Sequence, residues 1–130
     1  MRRVFLSFRI EDKGQVNGLR LLAANPNYDL EFYDESVRSP YNSENAAYIR
    51  SRIKSKIART SVTVCILNTL THTSEWVAWE LRESIAKGNR IIGMGVPGLT
   101  AAITLPQPMR DIRADWQTWD VPRLKSMIDS

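Results

Sequence analysis

The sequence predicts a doubly wound α/β fold, a parallel sheet of about five strands with helices on both faces, formed by residues 1–130 as a single domain. Three observations carry this. Strand-like and helix-like segments alternate along the whole chain, with no linker, internal repeat or low-complexity stretch between them. The strand segments read as nearly continuous apolar runs, which is the pattern of strands covered on both faces. The composition, 43% hydrophobic and 25% charged with six glycines and six prolines, is that of an ordinary globular domain large enough to bury a core without a metal or disulfide.

Arg3 to Phe8 is the first strand, a short β-prone run that stops at charged, glycine-containing sequence. Val16, Leu19, Leu22 and Ala23 recur at helical spacing, and Asn25-Pro26-Asn27 closes that helix with turn chemistry. Leu30 to Asp34 alternates as a second strand, followed by a polar loop from Ser36 to Ser43 that contains Pro40. Ser43 is the expected N-cap of a second helix, Glu44 to Arg59, whose stripe is Ala46, Ile49, Ile53 and Ile57. Ser61 to Leu67 is β-branched and apolar, as the middle of a parallel sheet would be. A loop from Asn68 to Thr73 leads to a third helix, Ser74 to Lys87, which Gly88-Asn89 ends. Arg90 to Met94 is a fourth strand. Gly95 to Arg110 is punctuated by glycine and proline and reads as irregular with one short helix. Asp115 to Trp119 is the fifth strand, and Asp120 caps a last helix with Pro122 in its first turn.

The single cysteine, Cys65, excludes an internal disulfide, and the chain opens without a signal-type leader, so a cytoplasmic location is expected. No apolar run approaches the ~18 residues of a membrane span. Eighteen basic against fourteen acidic residues give a net charge of +4, which suits nucleic acid, a membrane surface or a phosphorylated ligand equally and does not choose among them.

Several motifs have bland readings that outweigh their functional ones. Gly93-Met94-Gly95-Val96-Pro97-Gly98 satisfies G-x-G-x-x-G, but Pro97 and the turn-rich sequence beyond it disfavour the helix that a dinucleotide fingerprint requires. A phosphoacceptor module of the receiver type would need an Asp ending strand three, where Asn68 stands, and a lysine that is missing between Met109 and Arg123. His72 is the only histidine, and with one cysteine it cannot supply the three or four ligands that zinc prefers, so no metal is expected. The basic helix from Arg50 to Arg59 reads as a solvated face before it reads as a nucleic-acid surface.

The third helix is more informative. Val77, Leu81 and Ile85 form its core stripe, while Trp76 and Glu80, four apart, share a neighbouring face. An indole and a carboxylate are thus held side by side at the edge of the sheet where doubly wound folds bind ligands. The alternative is that the tryptophan packs and the glutamate is solvated.

These residues carry a resemblance. Val4-Phe5-Leu6-Ser7-Phe8, followed by Arg9 and Asp12, resembles the first box of TIR domains; Phe32-Tyr33-Asp34 resembles their second strand, and Ile53 to Ser61 their second helix and its exit. Ser74-Glu75-Trp76-Val77 with Glu80-Leu81 resembles the S-x-W-[CV]-x-x-E-[LI] segment. Together with Lys87-Gly88-Asn89-Arg90-Ile91-Ile92-Gly93 it is similar to the short TIR-like group of bacterial Thoeris antiphage systems, the ThsB-type proteins. The loop before the third helix departs from many TIR domains, with Asn68 and Thr71 where a serine and an aromatic are usual, and the tail from Gly95 matches nothing specific.

The resemblance implies a flavodoxin-like, TIR-like fold and an activity: cleavage of the nicotinamide–ribose bond of NAD, followed by formation of a cyclic ADP-ribose-type signal that activates an effector protein. NAD is then a substrate, and no cofactor is expected. The family's catalytic glutamate maps onto Glu80 and its tryptophan onto Trp76, with Phe8 and Arg9 lining the same pocket and Arg9 meeting the pyrophosphate. Asp34 is a carboxylate either near the pocket or structural. The same fold also serves non-enzymatic adaptors that act through TIR–TIR contacts, and the same carboxylate chemistry would serve a glycosyl-transfer enzyme acting on nucleosides.

Overall fold

The computed structural model describes residues 2–35 and 40–130, apart from the side chain of Ala23. Its middle strand, β3 (Val62–Leu67), is the run that the sequence marks as most apolar, and every residue of it is buried. On one side β3 pairs with β1 (Arg2–Ser7), which in turn pairs with β2 (Leu30–Tyr33). On the other it pairs with β4 (Arg90–Gly95), and β4 with the two-residue β5 (Trp116–Gln117). All four pairings are parallel and the order is β2-β1-β3-β4-β5, the flavodoxin-like arrangement of a doubly wound sheet. Strand order reverses between β1 and β3, so their carboxyl ends flank the crevice where ligands bind in such folds.

Side-chain parity sorts the core into two faces. Val4, Leu6 and Phe8 point to one, where α1 (Lys13–Ala23) contributes Val16 and Leu19 and α5 (Val121–Asp129) contributes Val121, Leu124 and Ile128. Phe5 points to the other, against Ala46, Ile49, Ile53 and Ile57 of α2 (Ala46–Ala58) and Trp76 of α3 (Glu75–Lys87). Cys65 and Leu67 continue that second face beneath Val77 and Leu81 of α3 and Met109 of the short α4 (Gln107–Asp111).

Three sequence expectations shift. Leu22, predicted on the inner stripe of α1, is 50% exposed because the stripe drifts off the sheet after Leu19. Ser43 does not cap α2: a turn from Pro40 precedes the helix, which starts at Ala46 after Asn45, and the Asn45 side chain makes no cap hydrogen bond. β5 keeps only Trp116 and Gln117 of the predicted Asp115 to Trp119 run. The predicted loop from Ser36 to Ser43 lies outside the described residues at positions 36–39.

The glycine motif resolves into packing. Gly93 and Gly95 lie within β4, and a Cβ on Gly93 would stand 2.8 Å from Trp116 Cβ, so glycine is what lets β5 approach. Gly98 turns the chain at a φ of +79°, and no helix opens there.

Candidate active site

Two polar clusters stand at the carboxyl ends of β1 and β3. The first follows from parity: Phe5 and Ser7 alternate with Leu6, so Ser7 points to the α2/α3 face, in register with Cys65 of β3. There α3 lies over the sheet with Trp76, Val77, Glu80, Leu81 and Ser84 inward. The sequence predicts Glu80 on a flank of the helix and Ile85 in the stripe, but Ile85 is half-buried and Glu80 is fully buried. Glu80 Oε1 accepts a 2.8 Å hydrogen bond from Ser7 Oγ, the last residue of β1. Taking a carboxylate out of water costs several kcal/mol unless hydrogen bonds replace the lost hydration. An apolar residue would fill this position at no such cost, and the hydrogen bond from Ser7 offsets part of it.

The second cluster spans the switch point. Asn68, just past β3, donates from Nδ2 to Asp12 Oδ2 at 2.6 Å, and its Oδ1 accepts from the Leu70 amide at 2.6 Å. The Thr71 hydroxyl receives the Asn68 amide at 2.7 Å. Burial pushes the Asp12 carboxyl above its usual range, against the opposing pull of the Asn68 bond and Arg9. These contacts fold the β3 loop back on itself and bring α3 into position, with Ser74 Oγ accepting from the Val77 amide at 3.2 Å to start the helix.

A cleft of about 370 Å³ is lined by Arg9, Ile10, Glu11, Pro40, Thr73, Ser74 and Trp76, sequence neighbours of the two clusters rather than their members, and its size is within the ordinary range for small-molecule sites. Of the predicted site residues, Arg9 and Trp76 line it directly. Arg9 also pairs with Glu11 at 3.3 Å. Glu80 lies one helical turn beyond Trp76, and its partner Ser7 lies two residues before Arg9. Phe8 is buried on the opposite face of the sheet, among the residues of α1 and α5, and does not line the cleft. Asp34 does not line it either: Arg20 grips its carboxylate at 2.6 and 3.0 Å, and Lys56 donates to its carbonyl at 2.5 Å.

Cys65 offers no nucleophile. It is fully buried, and burial together with the charges of Glu80 and Asp12 pushes its thiol well above the usual range. His72 is exposed on the loop before α3. Among the described residues no group of three or more His, Cys, Asp and Glu is placed to hold a metal, and no helix is long and apolar enough to cross a membrane.

A family model for the TIR-like domain of the Thoeris protein ThsB matches residues 5–101, a span that runs from the second half of β1 through β4 and takes in the cleft lining and both polar clusters. The chain belongs to the ThsB TIR-like family. Solved structures agree on the fold of this family member. The TIR domain of the Toll-related receptor TRR-2 from Hydra magnipapillata superposes with a TM-score of 0.66 at 15% identity, over 98% of each chain. The CMP N-glycosidase BcmB of Clostridium botulinum gives 0.62 at 13% identity, over 99% of this chain and 100% of that one. The TIR domains of the Roq1 resistosome give 0.52 at 19% identity, over 73% of this chain and 57% of that one. No curated protein matches the chain.

Sequence alone does not single out Ser7 as the partner of Glu80, although its position in the F-x-S-F run, in step with Phe5, is a signal for it. Nor does it pair Tyr41 with Arg50. Arg50 sits with its guanidinium 4.4 Å above the Tyr41 ring and 5.6 Å from that of Trp76, on a helix whose basic residues read from sequence alone as a solvated face.

Proposed function

We propose that this ThsB-family protein is a TIR-type glycohydrolase that cleaves the nicotinamide–ribose bond of NAD, with Glu80 as its catalytic residue. The observation that supports it is the buried Glu80 carboxyl, held on Ser7 one turn from the cleft-lining Trp76. In the reaction the C1′–N bond breaks and its electron pair passes to the pyridinium nitrogen, so nicotinamide leaves as a neutral molecule and no strong general acid is needed. The ribosyl carbon is left with oxocarbenium character. A carboxylate fixed beside it stabilises that charge more than it stabilises the ground state, which is the condition for acceleration. Trp76 offers an indole against a planar base, and Arg9 a cation for the pyrophosphate. Capture of the ribosyl cation by water, with loss of a proton, gives ADP-ribose. Capture by a nucleophilic atom of the same ADP-ribosyl group gives the cyclic product, which in this reading diffuses to an effector protein in antiphage defence.

Purified protein, alone and with extract of phage-infected cells, is to be incubated with NAD and the released nicotinamide measured. Glu80→Gln keeps an oxygen for the Ser7 hydroxyl and is expected to lower turnover by about a hundredfold or more, with the circular dichroism spectrum retained. Equal turnover by both forms would remove Glu80 from the mechanism. Parallel incubation with CMP separates NAD cleavage from hydrolysis of a nucleotide N-glycoside. Concentration-dependent self-association without turnover of either compound, under any trigger, would favour an adaptor acting through TIR–TIR contacts.

A further inference from the structure

We infer that Arg50 is a positioning residue for the cleft, latching the Pro40–Tyr41 segment onto α3 so that Pro40 and Trp76 hold their places in the cleft wall. Arg50 projects from α2, outside the cleft lining. Its Nη2 donates to the Tyr41 carbonyl at 3.0 Å, and the same guanidinium lies 4.4 Å over the Tyr41 ring. Tyr41 in turn meets Trp76 edge-on, with centroids 5.2 Å apart and planes at 75°, and Trp76 meets Trp79 in the same manner at 6.1 Å. One cation thus binds the segment twice, through its backbone and its ring, while its 5.6 Å approach to Trp76 ties both to the helix that carries Glu80. Pro40, the neighbour of Tyr41, is a wall of the cleft.

Among the described residues, the backbone bonds of this stretch include the turn from Ser43 to Pro40 at 2.9 Å and the step from Ala46 to Ser43 at 3.1 Å. A planar, doubly engaged guanidinium suits the role in a way that an ammonium does not, because hydrogen bonding along the fork and stacking on a ring face are compatible only in a flat cation. The consequence for turnover rests on the function proposed above; the consequence for the segment does not.

Amide exchange of Ser43 in the full chain, compared among wild type, Arg50→Ala and Arg50→Lys, reads the latch directly. Exchange at Ser43 should quicken by about tenfold or more in Arg50→Ala, with Arg50→Lys between it and wild type, while the amides of β3 keep their rates. On activity, the KM for NAD should rise about threefold or more with kcat within about twofold, since the residue shapes the wall and not the reacting carbon. Unchanged exchange at Ser43 in both variants would overturn the latch; if Arg50→Ala does not fold, a wild-type rate in Arg50→Lys does so alone. Faster exchange with an unchanged KM would overturn its role in the cleft. Faster exchange in a protein whose wild type releases no nicotinamide would leave the latch standing and remove the proposed reaction instead.

Discussion

Near the C-terminal end of α3, Thr63 donates to Ser84 at 2.8 Å, and Asn89 reaches back to Thr60 and Thr63 at 2.9 and 3.1 Å. Lys87 adds bonds to the Thr60 carbonyl and to Asn89. One turn before Ser84, on the same inward face, Glu80 meets Ser7 beside the cleft. Both clusters are buried and polar, and both join α3 to the sheet. They differ in chemistry and in place. The hydroxyls and amide of the first bond to one another at the amino ends of the strands, where they fasten the helix. The second brings a carboxyl group to the carboxyl ends of the strands, one helical turn from Trp76 in the cleft wall. Burial of polar side chains alone therefore does not mark a site; the function proposed above rests on the second cluster because its buried group is ionisable and lies one helical turn from the cleft-lining Trp76.

Mutation can break this contrast at either end. Asn89→Ala strips two buried hydroxyls of their donor and removes one of the two Lys87 bonds, and should lower unfolding free energy by about 2–3 kcal/mol. Urea denaturation measures it, and turnover per folded molecule should stay within about twofold. A larger loss of turnover than of stability would mean that the two clusters are one unit. Ser7→Ala tests the other end. It should cost about 1–2 kcal/mol of stability and lower nicotinamide release by about tenfold, because it leaves the Glu80 carboxyl without that hydroxyl to orient it.

The smallest effect concerns the neighbouring pair across the switch point. Burial raises the Asp12 carboxyl above its unfolded value, so the folded state holds the proton more tightly. The resulting stability is present in full below the unfolded value and is lost as pH rises through the folded one. At neutral pH the ionised group therefore opposes folding. Asp12→Asn keeps an acceptor for Asn68 and should be slightly more stable than wild type at pH 7, with the gap closing as pH falls. Thermal melts across that range check it, and a gap that widens in acid would show that the Asn68 bond, not burial, dominates.

The sheet was readable from sequence because parallel strands buried on two faces leave a contiguous mark. Val62 to Leu67 and the stripe Ala46, Ile49, Ile53 and Ile57 lie where periodicity puts them. Trp76 and Glu80 were also readable as a pair, since helical spacing of four residues is a local property. What was not readable is whatever depends on where two distant segments meet. Ser7 becomes a partner of Glu80 only once β1 lies under α3, and Arg50 becomes a latch only once Tyr41 folds back on α2. Phe8 and Asp34 show the converse. Both follow strands at the correct edge, yet parity turns Phe8 to the far face and Arg20 engages Asp34.

The strand order also governs how the chain reaches this state. β1 has partners on both sides, and the register that sets Val4 beside Val62 and Ser7 beside Cys65 joins segments separated by β2 and α2. On a ribosome working at about 5–20 residues per second, the apolar run of Val4, Phe5 and Leu6 waits from a few seconds to about ten for β3 to emerge. Parallel pairing of this range is slow to close even then. Arg2 and Arg3, exposed immediately before that run, place two like charges on every nascent copy. Flanking charges of this kind oppose strand-to-strand association between chains while the native partner is still being made.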